Sequence, residues 1–305
     1  MKAVVYTTYG PPEILKIAEV EKPRPKDNEI LIKIEVATVT SGDVRLRGSD
    51  FPPLFWLPAR LIFGLFRPKK QILGHELSGT VEAIGSKVTQ FKVGDTVLGT
   101  TTMLRSGSHA EYVCLPESWK QGVVIHKPKK LSFKEAAALP VGGMAALFLL
   151  KKTGLKKGMN VLIYGASGSV GSYALQIAKA HGATVTTVSS GANFDMLQSL
   201  GADAMIDYKK EDYTATGYTY DLVFDAVGKT SKSQAKKVLN PNGTFVSITS
   251  ITAEKTEQLQ EVVDLTVAGK IKPFIDKEFS LDDIVYAHRY VETGRKRGNI
   301  IIRPS

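Results

Sequence analysis

The sequence predicts an α/β protein in two parts: a β-rich, barrel-like unit, and a doubly wound unit with a parallel sheet inserted into it. Three observations carry this. Asn160 to Ala180 runs from a short apolar segment rich in β-formers, Val161–Tyr164, through a turn of small residues, Gly165–Gly171, straight into a helical pattern. Downstream, short apolar strands recur with helical or turn segments between them, the alternation that a doubly wound sheet requires. Upstream, from Ala3 to about Ser118, the chain reads as strands and turns without that alternation.

In order along the chain, Gly10-Pro11-Pro12-Glu13 is a turn, and Glu29 to Val36 alternates with period two, as a half-buried strand does. Leu54 to Phe66 is almost wholly apolar. It is too short to span a bilayer and is broken by Pro58, Arg60 and Gly64. It suits an apolar lid, a dimer contact, a membrane-surface patch or a helix packed on the core. Gly79–Gly85 is a short strand, Gly94-Asp95 turns into another that ends at Gly99, and Gly107–Cys114 adds one more.

From about Val123 the texture changes. Ser132 with Glu135 makes a capping box for a helix through Ala136–Leu139, Pro140-Val-Gly-Gly is expected to interrupt it, and a second helix follows from about Met144 to Lys152. Strands are expected at Val161–Tyr164, Thr184–Val188, Ala204–Ile206, Leu222–Asp225 and Thr244–Ile248. After a helix near Glu257–Val267, a strand at Ile271–Phe279, a helix at Leu281–Glu292 and a strand at Gly298–Arg303 read as the first part resuming. The expected domains are therefore 1–123 with 271–305, and 124–270 between them.

Composition narrows the function classes. The chain has 305 residues, 43% hydrophobic and 23% charged, a globular balance with ample surface to bury. The net charge of +10 comes from scattered Lys and Arg with only short pairs, so no nucleic-acid partner is expected and the charge reads as a solvated surface that favours an anionic ligand. One cysteine, Cys114, excludes an internal disulfide framework and a thiolate-rich zinc site, and fits a reducing compartment. Met1 to Tyr6 enters a strand at once, without the charged-then-apolar pattern of a signal peptide. A cytoplasmic location and no stable membrane insertion are the resulting expectations.

The strand–turn–helix at 160–180 is built for a diphosphate. Small residues let the backbone approach closely, and the free N–H groups and positive end of the helix dipole face the anion. Gly168 and Gly171 hold the second and third places of the dinucleotide fingerprint, with Ala166 at the first and Ser167, Ser169 and Val170 between them. The next strand ends roughly 20 residues beyond the glycines, where an adenine ribose would lie. A carboxylate there would repel a 2′-phosphate. Ser189, Ser190 and Gly191 stand at that place instead, which favours NADPH over NADH. Val227 and Gly228, just past Asp225, are where the chain can turn over the nicotinamide end.

Several spaced motifs then agree: Gly74-His75-Glu76 through Gly85, Val93-Gly94-Asp95 through Gly99, Ala110–Val113, Ala136–Val141, Gly165–Gly171 and Leu200–Tyr208. On these the chain resembles, nearly end to end, the zinc-free quinone oxidoreductase (ζ-crystallin-like) branch of the medium-chain dehydrogenase/reductase superfamily. The resemblance implies a GroES-like β-barrel domain joined to a Rossmann domain, an active cleft between them and a homodimer. It also implies diphosphate contacts from Gly168, Val170 and Gly171, a 2′-phosphate edge at Ser189, Ser190 and Asn193, and an adenosine contact from Tyr208. Gly191 occupies the place of a lysine found in many relatives, and Tyr208 suits a half-buried sheet-edge aromatic equally well.

Zinc-dependent relatives use a Cys, the His of Gly-His-Glu and a later Cys. Here His75 and Glu76 remain, but Thr40 and Ser41 stand in the first Cys region, so no metal is expected and His75 reads as a hydrogen-bonded structural or pocket residue. His109, His126, His181 and His288 read as ordinary surface or core residues. Without a Lewis acid, oxidation of a plain alcohol is disfavoured, and hydride transfer to a quinone or an α,β-unsaturated carbonyl, a small electrophile, is the expected reaction. Relatives place Asn and Tyr where this chain has Thr40 and Arg45, which makes these two the candidate substrate-pocket residues. A hydroxyl bonded to local backbone is the alternative for Thr40. Two other readings stay open: an enoyl-thioester reductase, with Arg45, Arg47 and Arg60 as a phosphate-binding patch, and a non-catalytic NADPH-binding scaffold.

Overall fold

A computed structural model describes residues 1–304, apart from the side chain of Leu54. The chain divides into two units, one made of Met1–Pro140 with the chain from Ile275 onward, the other of Val141–Phe274. The second is an insertion in the first.

The first unit begins with β1 (Lys2–Val5), β2 (Lys16–Glu19) and β3 (Glu29–Thr38), then the helices α1 (Ser41–Gly48) and α2 (Pro53–Phe63). Next come β4 (Glu76–Ile84), β5 (Thr96–Thr100), β6 (Tyr112–Pro116), β7 (Val124–His126) and α3 (Phe133–Ala138). The second unit holds α4 (Pro140–Lys151), β8 (Asn160–Tyr164), α5 (Ser169–Ala180), β9 (Thr184–Ser189), α6 (Phe194–Ser199), β10 (Ala204–Asp207), β11 (Tyr220–Asp225), α7 (Lys232–Ala235), β12 (Leu239–Ser247) and α8 (Thr256–Val267). The chain returns to the first unit with β13 (Ile275–Ser280), α9 (Ile284–Glu292) and β14 (Asn299–Arg303).

The period-two pattern of β3 sets Ile30, Ile32 and Ile34 into the core of the first unit, where Leu77, Val97, Leu115, Ile300 and Ile302 join them. Among the described residues the main sheet runs β13-β14-β3-β4-β5-β7, with β6 also paired on β3. The inserted unit has the order β10-β9-β8-β11-β12, and its pairings are all parallel. From β8 the order runs one way through β9 and the other way through β11. That reversal is the topological switch point at which doubly wound sheets bind ligands.

The division falls later in the chain than the expected 123/124 and 270/271. Strand β7 pairs with β5, and Ser78 Oγ donates to the carbonyl of Phe133, so the segment through α3 stays with the barrel-like unit. At the other junction, Lys272 N–H donates to Gln176 Oε1 while Gln176 Nε2 donates back to the Lys272 carbonyl, which ties residues beyond 270 to α5. The expected break at Pro140-Val-Gly-Gly is instead the start of α4. Proline is suited to a first helical position, where its missing N–H costs nothing. Gly143 lies within the helix, and a glycine stands there because a Cβ would come 2.7 Å from Val262 on α8.

Candidate functional site

The turn after β8 has the geometry of an anion cradle. Gly165 turns with φ +77°, and a Cβ on it would lie 2.5 Å from Val227. This glycine, one place before the fingerprint, makes the reversal, while Ala166 is fully buried and needs no special conformation. At Gly171 a Cβ would meet the Gly165 carbonyl oxygen at 2.3 Å, so the helix packs directly on the turn. Gly168 differs from both. It is the N-cap of α5, and a Cβ there would find open space, with only the Gly165 oxygen near at 3.8 Å. As N-cap, Gly168 offers the first turn of α5 no side chain of its own. The first-turn N–H groups of a helix have no intrahelical acceptor, so the residues present fit a diphosphate over Gly168, Ser169, Val170 and Gly171, with Ser167 and Val170 half-buried at the rim.

The end of β11 lies beside this turn, because Asp225 pairs in register with Tyr164 and Ala226 N–H donates to the Tyr164 carbonyl at 2.9 Å. Asp225 is fully buried. Its Oδ1 accepts from the N–H groups of Val227 (3.1 Å), Gly228 (2.9 Å) and Lys229 (3.3 Å), and its Oδ2 from Ser247 Oγ (3.0 Å). One carboxylate therefore shapes the turn expected at the nicotinamide end. Sequence reading placed Asp225 only as a strand end.

At the other end of the crevice, Ser189 and Ser190 are buried, and Ser189 Oγ donates to the Ser190 carbonyl at 3.1 Å. Asn193 is half-buried and its N–H donates to the Ser190 carbonyl. Tyr208 donates its N–H to the Ser189 carbonyl and leaves its ring exposed. The residue missed here is Asp207. Parallel pairing sets it opposite Ser189, and its Oδ2 lies 2.8 Å from where a Cβ of Gly191 would stand. The neighbouring strand thus supplies the carboxylate that the end of β9 lacks.

In the first unit, Thr40 is the N-cap of α1. Its Oγ accepts from Asp43 N–H at 3.1 Å and donates to Asp43 Oδ2 at 2.6 Å, the local role weighed for it from sequence. Asp43 is fully buried and also accepts from Thr40 N–H, from Gly74 N–H and from His75 Nδ1 at 2.7 Å. Burial alone would raise its pKa, but the charge and hydrogen bond of His75, with His109 and Thr40, hold it well below the usual carboxylate value. The spacing Thr40-x-x-Asp43 is a readable capping signal.

Arg45 is exposed and lines a shallow depression with Ser41, Asp50 and Glu292. Arg47 is not part of a surface patch. It is 1% exposed, with Nε donating to the Gly10 carbonyl, Nη1 to His288 Nδ1 and Nη2 to Glu292. Arg60 is held by Ser49 Oγ, the Leu65 carbonyl and the ring of Tyr9. Of the three arginines that a carrier-phosphate site would use, only Arg45 faces outward without such ties to the fold.

His109 and His288 are core residues, fully buried with their rings edge to face at 5.6 Å. His126 is exposed and bonded to Asp95, and His181 to the Ile177 carbonyl. No cluster of three or more His, Cys, Asp or Glu able to hold a metal occurs among the described residues. With Thr40 and Ser41 in place of a thiolate and no such cluster around His75, the described side chains do not supply the ligand set of a catalytic zinc ion.

Comparison with known proteins agrees with this geometry. The alcohol dehydrogenase GroES-like domain family matches residues 26–129, and the zinc-binding dehydrogenase family matches residues 169–285. The chain is 35% identical to 2-methylene-furan-3-one reductase of Solanum lycopersicum, over 100% of this chain and 79% of that protein. It is 30% identical to the chloroplastic NADPH-dependent alkenal/one oxidoreductase of Arabidopsis thaliana, over 100% of this chain and 80% of that protein. The solved quinone oxidoreductase of Coxiella burnetii superimposes with a TM-score of 0.85 at 29% identity, covering 100% of this chain and 99% of that one. A nucleotide cradle on a Rossmann-type sheet, a GroES-like unit without zinc ligands and likeness along the whole chain place this protein among the zinc-independent medium-chain dehydrogenases/reductases, as an oxidoreductase related to the quinone oxidoreductases.

Proposed function

We propose that the protein is a nicotinamide-dinucleotide-dependent reductase of quinones and α,β-unsaturated carbonyl compounds, with Ser189 and Ser190 favouring NADPH and the Asp207 carboxylate keeping that preference over NADH small. The observation that carries this is the N-terminus of α5, where the Gly168 N-cap leaves open space, in a chain with no metal-holding cluster of His, Cys, Asp or Glu among the described residues. The names of its relatives, a furanone reductase, an alkenal/one oxidoreductase and a quinone oxidoreductase, support the acceptor class. Once bound, the reduced nicotinamide supplies a hydride.

The chain's own residues hold and orient. Backbone N–H groups at 168–171 bind the diphosphate, and the turn at Val227–Gly228 is kept rigid by Asp225. Ser189, Ser190, Asn193 and Tyr208 form the adenosine end. In the first unit Thr40 is occupied as a cap, so the exposed Arg45 is the better donor toward an acceptor carbonyl as charge develops on its oxygen.

The test is NADPH oxidation measured against a panel of quinones, enones and aldehydes, with NADH and chelator controls. Saturable turnover of quinones or enones that a chelator leaves unchanged is the expected result. Tight NADPH binding with no turnover of any acceptor would favour the scaffold reading instead.

A further inference from the structure

The least expected surface of the molecule is α2 and the turn after it. Phe55, Trp56, Leu57, Leu61 and Ile62 on the helix are all exposed, as are Leu65 and Phe66, the last at 86%. Residues at consecutive helical positions point about 100° apart, so Phe55, Trp56 and Leu57 spread around the axis and form no single stripe. Within Pro53–Phe63 the one polar side chain is Arg60. It is turned to the base of the helix, where Nη1 donates to Ser49 Oγ and the guanidinium stacks over Tyr9 at 3.9 Å.

The base is firmly built. Tyr9 Oη donates to the carbonyls of Phe63 and Gly64, the Phe63 ring stacks on Phe51, and Lys69 Nζ donates to the Leu61 carbonyl. Gly64, at φ +125°, makes a turn in which a Cβ would stand 1.9 Å from the Arg67 oxygen. This is an ordered apolar finger on a fixed mount.

We propose that residues 53–66 form a membrane-surface anchor whose occupant is the headgroup and upper acyl region of an anionic lipid bilayer. Charge is the argument for this occupant. Residues 51–70 contain no Asp or Glu and hold four basic residues, of which Arg67 and Lys69 are exposed just past the helix while Arg60 and Lys70 are bonded to Ser49 and Thr101, in a chain of net charge +10. A helix laid in a protein groove keeps a polar face for water, and α2 has none to offer. An apolar tip with a tryptophan and a basic collar fits insertion to headgroup depth. At 11 residues the helix is about 16 Å long, and no helix among the described residues is long and apolar enough to cross a membrane, so the attachment is peripheral.

The experiment uses the full chain and flotation with vesicles of phosphatidylcholine, alone or mixed with phosphatidylglycerol. Wild type should float with the anionic vesicles and far less with the neutral ones. Leu61→Ser with Phe66→Ser should lower the bound fraction at least about tenfold, and Arg67→Glu with Lys69→Glu should do the same. Leu61 and Phe66 are exposed, so the melting temperature of the serine variant should not move. In a Trp119→Phe background, emission from Trp56 should shift to the blue with anionic vesicles. Wild type that stays in solution, or flotation indifferent to Leu61→Ser with Phe66→Ser, would overturn the anchor. So would a dimer that those serines split in the absence of any lipid binding, since a second copy would then be what covers the finger. None of these measurements uses turnover, so the anchor and the reductase assignment stand or fall separately.

Discussion

His75 donates Nδ1–H to Asp43 Oδ1 across 2.7 Å, and the carboxylate that receives it is fully buried while the imidazole is 18% exposed. An ionised carboxylate can only accept, so Nδ1 of His75 carries a proton. The same carboxylate closes the capping box of α1 through Thr40 and holds Gly74 N–H at 2.8 Å. Asp43 is therefore the point at which α1 is fastened to the segment entering β4, and the histidine that zinc-dependent relatives give to a metal here serves that junction.

Asp43→Asn places an amide where four donors converge. The variant should lose about 3 kcal/mol or more of stability, because partners in a buried charged network are left unmatched. His75→Gln, at a partly buried position whose ring keeps some contact with water, should lose only about 1 kcal/mol. Urea denaturation of both variants checks the order, and an Asp43→Asn protein as stable as wild type would contradict it.

Gly168 separates binding from folding. Its φ of −77° suits any residue, and a side chain there meets open space. Aspartate is also a good N-cap. Gly168→Asp should thus leave the melting temperature level or slightly raised while NADPH affinity drops about a hundredfold or more, since a carboxylate then occupies the anion's place. Fluorescence titration and a thermal melt on one preparation supply both readouts. Undiminished affinity would remove the diphosphate from this turn.

The carboxylate of Asp207 beside Gly191 opposes a 2′-phosphate and suits a ribose hydroxyl. Asp207→Asn should raise the ratio of kcat/KM for NADPH over NADH by about five- to tenfold. An unchanged ratio would mean that the adenosine end lies out of its reach.

His109 and His288 make stability depend on pH. His109 Nε2 bonds the Thr38 carbonyl and so carries the proton, whereas His288 Nδ1 accepts from Arg47 and leaves its proton on Nε2. His109 Nδ1 and His288 Nε2 are buried without a hydrogen-bond partner. Burial lowers both pKa values from 6.5, and well below it for His288, where His109 and Arg47 add to the effect. The unfolded chain binds these protons first. Stability should be full above pH 6.5 and fall as pH drops below it, with a second loss below the usual value of 3.8 for Asp43, whose folded pKa lies lower still. Chemical denaturation across this range follows it, and His288→Phe should flatten the upper part of the decline.

The pattern of residues along the chain was enough for the two-part α/β architecture, the capping box at Ser132–Glu135, the strand–turn–helix at 160–180 and the shortage of zinc ligands. Each rests on local spacing or on composition, which a linear text displays directly. What only the folded chain decided is what side chains from distant strands do to one another. Asp207 reaches Gly191 through the parallel pairing of β10 with β9, Arg47 is drawn inside by His288 and Glu292 from α9, and position 143 of α4 must be glycine because Val262 of α8 packs against it. Periodicity announces that a helix or strand exists. The charges and close contacts that set its chemistry come from neighbours which only packing brings within a few ångströms.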